Sequence, residues 1–145
     1  MDSVTAEIQR FFEEKIKENE VFSRFLNAPE DKRLSVYYEI APENPRRPYL
    51  RYMIQRPVET DRDLELNFSA YLCVVNVNIV GNSIDQVREL AESITETFDK
   101  LINVPGFPNI EDVTCQYPDE SKSYDADTKL ELFETAQEIQ FYFVI

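Results

Sequence analysis

The chain has 145 residues with a net charge of −13, no histidine, two cysteines and two glycines. This length fits one domain around one substantial core, and the charge opposes adhesion to nucleic acid or anionic lipid, so neither nucleic acid nor membrane is an expected partner. Without histidine, the commonest general base and the commonest transition-metal ligand are missing.

No run approaches the roughly 18 uninterrupted apolar residues of a membrane span. The opening "MDSVTAEIQRFF" has no basic segment ahead of an apolar one, so no secretion signal is expected, and the protein should stay soluble in the cytoplasm. Taken in order, Val4, Ile8, Phe11, Phe12 and Ile16 recur at helical spacing behind Asp2 or Ser3 as a cap, and Val21, Phe22, Phe25 and Leu26 prolong the stripe until "NAPED". Residues 34–40 alternate as a first strand. "APENPRRP" is a stiff connector, because its prolines lack an N–H and fix φ. Residues 49–55 form a second strand, and "RPVETDRDLE" reads as a long polar loop. The third strand runs from about Leu66 to Val80, and a helix follows with Ser83 and Gln86 as a capping box and apolar residues at helical spacing as far as Leu101. After "NVPGFPN" come a strand near 113–117, the polar turn "PDESKSYDADT" and a closing strand near 138–145.

This order predicts a single α+β domain over residues 1–145: an antiparallel-rich, mixed sheet of four to five strands with two helices packed on one face. The predicted core sets Ile8, Phe11, Phe12, Val87, Leu90, Ile94 and Phe98 against Cys73, Val75, Val77, Phe141 and Phe143.

Chemistry is sparse. Cys73 and Cys115 lie in apolar runs, without a histidine partner for nucleophilic work. Neither glycine sits in a phosphate-cradling loop. Counting an EF-hand from Asp125 places Leu130 and Ala136 where glycine and glutamate are required, so no metal or other cofactor is expected. No catalytic residue is assigned.

The charge is unevenly placed. Residues 32–56 carry six bases against two acids, and residues 111–138 carry nine acids against two bases. These segments are either ordinary solvated loops or two complementary docking surfaces.

Four features together resemble the tail terminator, or tail-completion, proteins of long-tailed bacteriophages and prophages: the N-terminal amphipathic helix, "RPYLRYMI" before a polar loop, "AYLCVVNVNIVGNSIDQVRELAESITETF", and the ending "YPDESKSYDADTKLELFETAQEIQFYFVI". The resemblance implies a non-enzymatic virion protein that forms a hexameric ring, ends tail polymerisation and supplies the head-docking surface. It would assemble in the host cytoplasm and finish in the tail neck of the virion. Its partners would be further copies of itself, the tail tube protein and a head-completion or connector protein. On that reading the subunit interface draws on Arg46, Arg47, Arg51, Phe68, Ala70, Leu72, Asp119, Glu120, Asp125 and Asp127. The doubly apolar stretch Phe68 to Val74 would be covered by helices on one face. Its other face would meet the "RPVETDRDLE" hairpin, the C-terminal turn or a neighbouring subunit. The alternative is a small regulatory or ligand-binding α+β module without catalysis, since a fold of this class hosts many functions.

Overall fold

The first helical stripe is interrupted by an asparagine. Asn19 ends α1 (Asp2–Glu18) and caps α2 (Glu20–Leu26), its Oδ1 accepting from the N–H groups of Val21 and Phe22 at 2.9 and 3.2 Å. Its Nδ2 donates to Thr97 Oγ1 at 2.7 Å, which ties this corner to α3 (Ile84–Phe98). The structure is a computed structural model that describes residues 2–145 apart from 31, 44, 66, 103, 127 and 128, and apart from the side chains of 2, 3 and 125. The expected cap at Asp2 or Ser3 and the expected strand start at Leu66 therefore lie outside the described residues.

Eight strands are described: β1 (Ser35–Tyr38), β2 (Tyr49–Ile54), β3 (Val58–Asp63), β4 (Phe68–Gly81), β5 (Leu101–Ile102), β6 (Ile110–Cys115), β7 (Asp119–Asp125) and β8 (Leu130–Val144). They form one sheet in the order β1-β2-β4-β8-β6-β5, with β3 on β4 and β7 on β8. β1 is parallel to β2, and the other pairs are antiparallel. The class is α+β, but the expectation of four to five strands and two helices is overturned: among the described residues there are eight strands and three helices.

The discrepancy has an identifiable cause. β4 and β8 are long, and each borders two short strands placed end to end. β2 pairs with β4 from Val75 to Val80, and β3 pairs with it from Phe68 to Leu72. Between those two strands, Gln55 N–H still reaches Val74 O at 2.9 Å before Pro57, which has no N–H to donate, breaks the ladder. β6 and β7 divide one side of β8 in the same way across Gln116, Tyr117 and Pro118. The presumed polar loop and polar turn are thus strands β3 and β7. The expected capping box also fails: Ser83 sits at the N-cap of α3 without a side-chain cap bond.

The helices lie on one face. Phe12 stacks on Phe98 with centroids 5.2 Å apart and lies 4.3 Å from the Tyr52 ring, and Phe11 meets Phe141 edge-on at 5.7 Å. All twelve residues of the expected core are buried, none more than 1% exposed. Among the described residues no helix is long and apolar enough to cross a membrane.

Candidate subunit interface

Residues opposite one another in a β-ladder share a face, and alternate residues of a strand point to opposite faces. β4 and β8 pair without a register break from Ala70↔Val144 to Gly81↔Phe133. Cys73, Val75 and Val77 face the helices and are buried. Phe68, Leu72 and Val74 therefore face away. Leu72 lies between Val58 of β3 on one side and Tyr142 of β8 on the other. None of these five joins the helix-side core. Val58 is 62% and Tyr142 38% exposed. Phe68, Leu72 and Val74 are half-buried, and the β3–β4 hairpin extends the sheet by pairing along β4. Ala70 differs from its neighbours: it is fully enclosed, with Val144 opposite and Thr60 Oγ1 donating to its carbonyl at 3.3 Å.

Farther along β4 the same face turns polar, which accounts for the alternation of asparagine with valine and isoleucine. Asn76 and Asn78 occupy the open side, and Asn78 Nδ2 donates to Glu134 Oε1 at 3.0 Å. Val77 between them and Ile79 after them are buried.

The strand order also separates the two charged segments. The basic one holds β1 and β2 at one margin of the sheet, and the acidic one runs through β6, β7 and the start of β8, with β7 at the opposite margin. One transverse row joins them, Tyr37–Arg51–Asn78–Ala136–Asp119, each residue opposite the next. Arg51 and Asp119 are both exposed, and neither makes an ion pair with a described residue.

The other candidates differ in availability. Arg46 is engaged within the chain, its Nη1 donating to Glu30 O at 2.6 Å and its Nη2 to Glu30 Oε1 at 3.5 Å. Arg47 is half-buried, and its Nη1 is enclosed without a hydrogen-bond partner. Burial, then the Glu134 charge, raise the pKa of Tyr49 against the opposing pull of the Arg51 and Arg47 guanidiniums, which places all four groups near one another. Glu120 points to the helix face, where Arg88 grips it, Nε to Oε1 at 2.7 Å and Nη2 to Oε2 at 2.9 Å. Asp125 pairs by backbone register with Leu130 at the end of β7, and Asp127 lies outside the described residues.

Burial pushes the Cys73 thiol up to about 12 and the Cys115 thiol up to about 11, which keeps both protonated and poorly nucleophilic near neutral pH. No group of three or more His, Cys, Asp or Glu side chains able to hold a metal stands together among the described residues. An open groove of about 470 Å³ between α3 and the start of β7 is lined by Glu92, Glu96 and the Arg88–Glu120 pair, with Tyr117 at its side. Sequence reasoning missed β3, β7 and the short β5, whose Leu101 falls at the expected end of the helix that stops at Phe98. The only local signal of β3 and β7 is a short alternation, Val58 and Thr60 against acids and Ser121 and Ser123 against Lys122 and Tyr124.

No family model and no curated protein matches the sequence. Among solved structures, the chain is similar to one from the virion of a native gene transfer agent particle, with a TM-score of 0.53 and 7% identity over 89% of this chain and 90% of that one. A second solved chain is 17% identical over 93% of this chain and 96% of that one, with a TM-score of 0.49. At 7% identity the first likeness is one of fold alone.

Proposed function

We propose that this chain is a structural protein of a phage-like virion and that it acts there as a tail terminator: a ring of identical subunits that caps the tail tube, ends its polymerisation and receives the head. The observation that carries this reading is the open sheet face. A single copy leaves the half-buried Phe68, Leu72 and Val74 outside the helix-side core at the β3 end of the sheet, and farther along the same face lie margins of opposite charge. A ring needs contacts in which one patch meets a different patch on the next copy, and two unlike margins suit that geometry. The fold likeness to a virion chain of a gene transfer agent particle over nearly the whole length of both chains supports it. The order of elements and the ending "YPDESKSYDADTKLELFETAQEIQFYFVI", which resemble tail terminators, support the finer role.

Deleting the gene from its phage-like element and imaging the particles tests this role. Tails of irregular length, separate from filled heads, are expected. Joined particles with tails of uniform length would overturn the reading.

A further inference from the structure

We propose that Arg51 and Asp119, at opposite margins of the open sheet face, form the charged junction between one copy of this chain and the next; this rests on the ring reading above. Within one chain the two are three strand spacings apart, about 14 Å, too far to pair with each other. Both are exposed on the same face, and neither has an ion-pair partner among the described residues. Of the other charges near them, Arg46 is bonded to Glu30, Glu120 to Arg88 and Glu134 to Asn78, whereas half-buried Arg47 and Glu138 make no ion pair among the described residues. The occupant that fits both margins is therefore a second copy, presenting its Asp119 margin to the Arg51 margin of the first.

Each subunit then uses Arg51 once and Asp119 once, and a closed ring leaves neither unpaired. The apolar strip at the β3 end of the same face supplies contact area. The charges fix which margin meets which, since like charges brought together across an interface are strongly disfavoured.

The test is charge exchange, read by native mass at low salt, where screening is weakest. Arg51→Glu and Asp119→Arg should each raise the concentration for half-assembly by about tenfold or more. The doubly exchanged chain, and an equimolar mixture of the two single variants, should both return close to the wild-type value. Arg46→Gln and Glu120→Gln should leave assembly unchanged, because those groups are engaged within the chain. If the wild-type chain forms rings and both reversals assemble as it does, or if exchange restores nothing, the junction is wrong and the ring reading stands. If the wild-type chain stays single, the ring reading fails. A two-copy species rescued by the same exchange would keep the Arg51–Asp119 pairing and overturn the ring.

Discussion

Arg88 on α3 holds Glu120 on β7 through two parallel hydrogen bonds of 2.7 and 2.9 Å, pinning the β7–β8 hairpin to the helix layer. Hydrogen bonding to Arg88 holds the Glu120 carboxyl below its usual range. A carboxyl whose pKa is lower in the folded than in the unfolded chain adds stability above its unfolded value, and that contribution is lost as pH falls through the folded value. Carbon-detected NMR titration should therefore place the Glu120 midpoint below the ordinary glutamate value. Replacing Arg88 by Gln should move it up towards that value. A midpoint unaffected by Arg88→Gln would show that the pair does not persist in solution.

The aromatic cluster makes a larger claim on stability. Phe98 packs against Phe11, Phe12 and Phe141, and all four are fully buried. Truncating Phe98 or Phe141 to Ala should cost about 3–5 kcal/mol in denaturant melts, through lost transfer energy and the cavity left behind. A loss under about 1 kcal/mol would mean that the site collapses around the missing ring or that the packing is different.

Gly81 closes β4 where α3 begins. A Cβ there would meet Val87 Cγ2 at 2.8 Å and Gln86 Oε1 at 3.0 Å. Gly81→Ala should destabilise by about 1–3 kcal/mol, as overpacking does. In combination with Val87→Ala, which removes the obstructing methyl, the total should be smaller than the sum of the single changes. Strict additivity would show that the close approach is not the cause.

These positions mark what the sequence made legible. Helical spacing and strand alternation identified the core, from Ile8 and Phe12 through Ile94 to Phe141, because burial on one face imposes a period on the chain. β3 and β7 left almost no such trace: their side chains are mostly exposed, and they become strands by pairing with β4 and β8, which local pattern does not record. The break at Asn19 was hidden by the apolar stripe running on to Leu26, although asparagine is a favoured cap. The charge segregation was visible as counts. Which charges remain available was not, since Arg46 finds Glu30 16 residues away and Arg88 finds Glu120 32 residues away.

The most direct test of the central claim is the native mass of the purified wild-type chain across a range of concentrations at low salt, with negative-stain images of the same sample. A ring-forming terminator should give a discrete closed species of six 17.1 kDa chains and images of rings with a central opening. A single 17.1 kDa species at every concentration, without rings, would contradict the account.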